Sequence, residues 1–336
     1  VPGPVPDLCC RIVTPFAPAG ALDLDACGPL LERFAAARIA VYLGSGGSGE
    51  GHALTPRELG ELYAAGVRVS AGRIPVYANP PEQHTVAAAV SHARLAVDAG
   101  VELVNVYGPA GWHGYQATAP EYLAYLDAVL PAVEAPVALC PNPGLGYPVA
   151  AETVAEACAR HAHVVAVNLN GVPPAYLARL RELTGGQVRL YADDGGLRGA
   201  LQAGAAGFVS ALPNLIPGTF RRYVDAVRGG RPDEEADLYG QIQRLRELTA
   251  QWPGGTPRWI KLALHALHLP GGRGGPRPPY LPITETAVRQ FLADAGNLHI
   301  AEITEMLKET PDAGYSADLP HGNAVQEIGG ARPAGA

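Results

Sequence analysis

Residues 39–50 read IAVYLGSGGSGE, an apolar run that ends in a glycine-rich turn. Gly44, Gly46 and Gly49 satisfy the spacing GxGxxG. In a dinucleotide-binding unit those glycines open a helix, so that the pyrophosphate rests on the helix N-terminus. Here the helix opens later. Thr55-Pro56-Arg57-Glu58 reads as an N-cap, a proline at the first helical position and a glutamate three residues after the cap. Residues 50–54 lie between the last of those glycines and that cap. The turn is a strand-to-helix loop without the dinucleotide geometry, and no cofactor is expected from it.

The same alternation runs outward along the chain. Short β-rich runs at 11–14, 40–43, 75–78, 103–107, 137–140, 164–168, 188–191 and 207–210 are separated by alanine- and leucine-rich helical segments. Eight such strands joined by helices, with no break in composition, predict an α/β fold, a parallel (β/α)8 TIM barrel. A doubly wound sheet is the alternative, because strand count does not show closure. The barrel is expected over residues 1–215, and a helical C-terminal extension over 216–310. A tail over 311–336, rich in Gly, Ala, Pro and Asp, is expected to be disordered.

Composition narrows the function classes. The net charge is −7 and there are no long basic runs, which argues against nucleic acid or an anionic membrane as partner. No apolar run approaches the ~18 residues of a membrane span. Five cysteines, odd in number and two of them adjacent, do not form a disulfide framework. The opening VPGPVPDLCC lacks the charged-then-apolar pattern of a secretion signal. A small-molecule substrate and a cytoplasmic setting are therefore expected. Lysine is scarce: of the 25 basic residues, only Lys261 and Lys308 are lysines.

In a (β/α)8 barrel the chemistry sits where strands end and βα loops begin. That rule marks Thr14, residues 44–50, Ala78 and Asn79, residues 107–112, 140–144 and 168–170, Asp193, Asp194 and residues 210–214 as the rim. Several of these segments, in order and at fitting distances, resemble the dihydrodipicolinate synthase and N-acetylneuraminate lyase family. VTPFAPAGALDLDA is similar to its first strand and loop, and GGSGE followed by LTPREL to its second. CPNPGLG, GFVSALPNLIP and GGPRPPYLPIT are similar to its fifth-strand, eighth-strand and C-terminal segments. The resemblance covers about residues 11–297. It implies a barrel with a C-terminal helical extension, assembled as a homodimer or homotetramer.

It also implies losses. The family forms a Schiff base between a 2-oxo acid and a lysine at the end of the sixth strand. The matching position in HVVAVNLNG is Asn168, whose carboxamide cannot form an imine. Lys261, in a C-terminal helix, and Lys308, near the tail, are poor substitutes. The family's relay tyrosine aligns with Cys140 and the first threonine of its loop with Gly47. Its second relay tyrosine falls near Gly111, and its carboxylate-gripping arginine aligns with Leu145. Glu50 occupies a position that is mainly structural in the family.

The candidate catalytic residues are His113, Asp193, Asp194 and Cys140. His113 is either an acid–base group or an exposed loop residue, and the aspartates either a base or a solvated turn. Cys140 is either a nucleophile or a small buried hydrophobe. The candidate substrate-binding residues are Ser48, Gly47, Asn168, Asn170, Tyr107, Trp112 and Tyr77. Ser48 and the glycine loop would hold an anion or oxyanion, or simply make a tight turn. With Leu145 in place of the arginine and two aspartates nearby, a neutral or cationic distal group fits better than a second carboxylate. The pair His161 and His163 precedes strand six, at the far face from the chemistry, and no metal is expected. The reading is a lyase for a small polar oxo or imino substrate, working without a lysine Schiff base by retro-aldol cleavage, dehydration or cyclisation. The alternatives are an inactive barrel serving as a binding or scaffold protein and a Schiff-base aldolase with a displaced lysine.

Overall fold

The computed structural model describes residues 6–252 and 255–309. The tail expected over 311–336 lies outside the described residues. Eight parallel strands close into a barrel in sequential order. They are β1 (Leu8–Arg11), β2 (Ala40–Leu43), β3 (Val76–Ala78), β4 (Leu103–Tyr107), β5 (Val137–Cys140), β6 (Val164–Asn168), β7 (Arg189–Ala192) and β8 (Gly207–Ser210). Closure, β1 pairing with β8, excludes the doubly wound alternative.

Seven helices alternate with the strands: α1 (Cys27–Ala36), α2 (Pro56–Ser70), α3 (Val86–Asp98), α4 (Ala119–Val129), α5 (Ala151–Arg160), α6 (Pro174–Leu183) and α8 (Pro217–Arg228). After β7 there is only a short broken turn, α7 (Leu197–Ala200). The helix α8, which the sequence reading assigns to the extension, follows β8 and packs on α1, completing the eighth βα unit. Beyond it come α9 (Pro232–Ala250), α10 (Thr256–Ala266), α11 (Glu285–Gly296) and α12 (Ala301–Glu309). Among the described residues no helix is long and apolar enough to cross a membrane.

Two apolar layers hold the barrel. Side chains alternate across each strand, so Cys9, Ala40, Tyr42, Tyr77, Leu103, Ala138, Ala166, Tyr191 and Val209 pack together in its interior. Outward residues such as Val41, Val104, Leu139, Val167 and Phe208 pack against the helices. Each large side chain fully buried in this way contributes roughly 1.5–3 kcal/mol. The helix starts are local and legible. Thr55 and Glu58 form the expected capping box on α2, and Thr118 with Glu121 form another on α4.

The glycine loop after β2 is clamped from below by the extension. Glu50 is fully buried, and its backbone is left-handed at φ 50. Its Oε2 accepts from the Arg277 backbone N–H at 2.8 Å, and its Oε1 lies 3.8 Å from the Lys261 ammonium. Lys261 also donates to the Thr14 carbonyl oxygen and stands over the Phe16 ring. Burial lowers its pKa to about 8 and raises that of Glu50. The Arg277 guanidinium donates to both Glu58 oxygens and to the carbonyls of Gly20 and Ala53. Those bonds hold the Glu58 carboxyl down at about 2.

Within this loop Gly51 has no room for a side chain, since a Cβ there would stand 1.9 Å from the Gly44 carbonyl oxygen. Gly51→Ala is expected to destabilise the fold by about 1–3 kcal/mol through forced backbone displacement. Gly60, inside α2, has only Leu95 Cδ2 at 3.7 Å. Gly60→Ala should instead stabilise by about 0.4–1 kcal/mol. Urea unfolding of the two variants checks both signs.

Candidate active site

The first strand corrects the sequence reading in a way that decides the site. The run LCCRIVT has no internal break, and the sequence predicts the first strand at RIVT, residues 11–14. The strand is LCCR, three residues earlier. Arg11 thereby moves from the start of a strand to its C-terminal end, the mouth of the barrel. Its half-buried side chain crosses the mouth. Nε donates to Asn79 Oδ1 at 3.3 Å and Nη1 to Asn170 Oδ1 at 3.1 Å, while Nη2 approaches Cys140 Sγ at 3.9 Å. Arg11, Asn79 and Cys140 come from β1, the end of β3 and β5, the alternate-strand layering of a filled barrel. Asn79 is fixed in turn, its backbone N–H bonding the Leu43 carbonyl and its amide the Tyr107 hydroxyl at 3.0 Å. Among the described residues three of the five guanidinium N–H groups are engaged, which leaves two.

Asn168 belongs to the layer of even-numbered strands. Its Nδ2 donates to Tyr42 OH at 3.0 Å and to Asn105 Oδ1 at 2.8 Å. Asn168 Oδ1 and Asn105 Nδ2 are buried without a protein partner. Turning both amides over leaves the same result, one spare donor and one spare acceptor. The predicted ligand Asn168 is thus anchored in the barrel, and the next strand-end residue, Asn170, holds Arg11.

The aspartate pair divides into two roles. Asp193 accepts from the backbone N–H groups of Gly171 (2.6 Å) and Gly195 (3.0 Å), tying the loops after β6 and β7 together. Asp194 faces inward. Its Oδ2 accepts from Ser210 Oγ at 2.5 Å, and its Oδ1 lies 3.5 Å from Arg246 Nε on α9. Burial raises the Asp194 pKa, and Asp193 adds to the rise, while Ser210, Arg246 and Arg11 oppose it. A carboxyl group shifted upward in this way is a stronger base than an ordinary aspartate and suited to taking up a proton.

The glycine loop is more committed than its composition suggests. The N–H of Gly49 bonds Ser45 Oγ, that of Glu50 bonds the Gly47 carbonyl, and that of Gly51 bonds the Ser45 carbonyl. Ser48 is buried, whereas Gly47 is exposed and faces Thr256. From the loop after β3, the Glu82 carboxylate reaches across to Gly46, where a Cβ would stand 2.6 Å from Oε2.

The remaining candidates either line this group or lie apart from it. Cys140 is fully buried, and burial pushes its thiol up to about 11 despite the Arg11 cation. It is a protonated thiol at neutral pH, which counters the nucleophile reading. His113 is exposed with φ 45, and its ring stands edge-on to the exposed Trp112, which lies in turn 6.0 Å from the His84 ring on the loop after β3. Tyr77 packs against Tyr42 in the barrel interior, ring centroids 5.1 Å apart, and Tyr107 is held by Asn79. His161 bonds Asp127 and His163 bonds the Leu130 carbonyl. Among the described residues no three His, Cys, Asp or Glu side chains form a metal-binding group. A shallow dent of about 530 Å³, lined in part by Leu130, Val133 and His163, lies at the opposite end of the barrel from Arg11. Sequence reasoning missed Arg11, Glu82 and Arg246 as members of the site. A β1 ending at Arg11 was the one signal that could have found the first.

The profile of the Dihydrodipicolinate synthetase family matches residues 6–297. A 4-hydroxy-tetrahydrodipicolinate synthase of Xanthomonas axonopodis pv. citri is 32% identical over 302 residues, covering 88% of this chain and 96% of the relative. A second, from Streptomyces coelicolor, is 31% identical over 275 residues, covering 78% and 85%. The fold matches a dihydrodipicolinate synthase structure from Bacillus anthracis with a TM-score of 0.77 at 22% identity, over 91% of this chain and 98% of that one. The family profile spans the whole barrel and most of the C-terminal extension, and the chain belongs to the dihydrodipicolinate synthetase family.

Proposed function

We propose that this protein is a lyase for a small 2-oxo acid or its imino counterpart, and that it works without a lysine Schiff base. The observation that carries the reading is Arg11, a guanidinium held across the barrel mouth by Asn79 and Asn170 with two N–H groups to spare. In a Schiff-base aldolase the protonated imine takes up the electrons released at the neighbouring carbon. Asn168 cannot form it. A fixed cation does comparable work by stabilising the enolate oxygen.

The two free N–H groups of Arg11 form a fork that suits one carboxylate oxygen and the adjacent 2-oxo oxygen of the substrate. Asp194, steadied by Ser210 and Arg246, takes the proton. In the retro-aldol direction it removes the hydroxyl proton, the carbon–carbon bond breaks to release an aldehyde, and the electron pair passes to the 2-oxo oxygen beside Arg11. Return of the proton to the enolate carbon completes the cycle. The spare donor and acceptor on Asn105 and Asn168 suit a hydroxyl or a water molecule. This assignment gives the anion to Arg11 rather than to Gly47 and Ser48, since Glu82 lies against the glycine loop. Ser48 is left as a lining hydroxyl.

Exchange of the methyl protons of pyruvate in D2O, followed by NMR, tests the reading without knowledge of the natural acceptor. The wild type is expected to catalyse exchange, and borohydride quenching with pyruvate should leave the intact mass unchanged. Arg11→Gln should slow exchange at least 100-fold. A trapped adduct would refute the imine-free route, and binding of pyruvate without exchange would favour a binding protein over a lyase.

Asp194 must be ionised to act as base, so exchange should rise with pH through an inflection above the ordinary carboxylate range and fade on the acid side. Asp194→Asn should remove that inflection together with about 10²–10⁴-fold of the rate. An inflection that survives in Asp194→Asn would assign the proton transfer to another group.

A further inference from the structure

Glu82 is a half-buried carboxylate on the loop after β3. Among the described residues it has neither a hydrogen bond nor an ion pair. Its Oε2 lies against the Cα of Gly46, a position where any side chain would collide with it, so the glycine makes the room that the carboxylate occupies. Its charge is felt by Arg11, Tyr107 and Cys140, which places it at the mouth on the side of β3, β4 and β5. The other mouth carboxylate, Asp194, already has Ser210 and Arg246.

A partly desolvated carboxylate that feels Arg11 without a direct ion pair is incompletely compensated, and a ligand cation relieves it. A purely anionic ligand on Arg11 would instead bring a second negative charge into the same mouth and be repelled by Glu82. A ligand with a carboxylate at one end and a cationic nitrogen at the other satisfies both residues. Leu145, buried beneath the loop after β5, offers no cation to a second carboxylate.

We propose that Glu82 is the recognition residue for an ammonium or protonated imino nitrogen of the substrate, with Arg11 taking the carboxylate. This rests on the assignment of Arg11 as the anion anchor made above.

The test is binding, read by isothermal calorimetry on the full chain, of three ligand series of matched length. These are unbranched monocarboxylates from propionate to pentanoate, their ω-amino derivatives, and the dicarboxylates succinate and glutarate. In the wild type at least one ω-amino acid should bind tenfold or more tightly than the monocarboxylate of equal length, and dicarboxylates should bind more weakly than either. Glu82→Gln should abolish the amino preference while monocarboxylate affinity holds or rises, since the repelling charge is gone. Glu82→Lys should reverse it in favour of dicarboxylates, a gain that a misfolded variant could not produce. Equal affinity for amino and unsubstituted acids, or an amino preference that survives Glu82→Gln, overturns the proposal. Arg11→Gln separates it from its premise. Loss of monocarboxylate binding in that variant upholds the anchor even if the amino preference fails, and unchanged monocarboxylate binding overturns both assignments.

Discussion

A positive charge fixed at the centre of the barrel mouth is the constraint around which the rest of the site is arranged. Arg11 cannot lose its proton, so its burial has to be offset by oriented dipoles. The offset comes from the carbonyl oxygens of Asn79 and Asn170, neutral groups that solvate the guanidinium without cancelling its charge. A direct carboxylate partner would have neutralised it and closed the site to anions. Cys140 supplies a small side chain where a bulkier one would collide with the guanidinium. An imine cation beside Arg11 would add a like charge. On the proposed route, arginine at position 11 and asparagine at position 168 belong to one arrangement, in which the cation would be supplied by the protein rather than formed on the substrate.

The glycine loop, by contrast, derives its shape from the far side of the chain. Glu50 holds a left-handed backbone that costs a non-glycine residue of order 1 kcal/mol or more. The cost is tolerated because its carboxylate bonds Arg277 and faces Lys261, while Arg277 also fastens Glu58 at the start of α2. The helical extension therefore acts on the barrel through the loop that borders the mouth. The same packing places the Lys261 ammonium against Thr14 and Glu50, where its contacts are structural. Arg246 shows the extension acting a second time, reaching from α9 to Asp194.

The fold was legible because its signals are local. Capping boxes at Thr55 and Thr118, proline at the first helical turns, and strand runs followed by turn residues each fix an element boundary without reference to distant residues. The site was legible only in part, and the reason is register. In LCCRIVT every residue is compatible with a buried strand, so nothing in the run says where pairing stops. A shift of three residues moves Arg11 from one end of the barrel to the other. Glu82 sits in NPPEQH, where two prolines announce a turn and give no hint that the carboxylate reaches the glycine loop. Asp194 and Asp193 were indistinguishable in sequence, since only the fold shows that one caps a turn and the other faces Ser210.

The electrostatic layout also limits how the site can respond to pH. Arg11 stays charged across the working range, Cys140 stays protonated, and burial holds the Tyr107 hydroxyl in its neutral form. Of the groups given roles at the mouth, Asp194 is the one whose shift carries it toward neutrality, and it is coupled to the extension through Arg246. An imine mechanism would add two limits, one on the acid side because its amine attacks only as the free base, and one on the basic side where the imine loses its proton. On the proposed route the group that would stabilise the enolate is a guanidinium, which keeps its proton across the working range, so neither limit is expected.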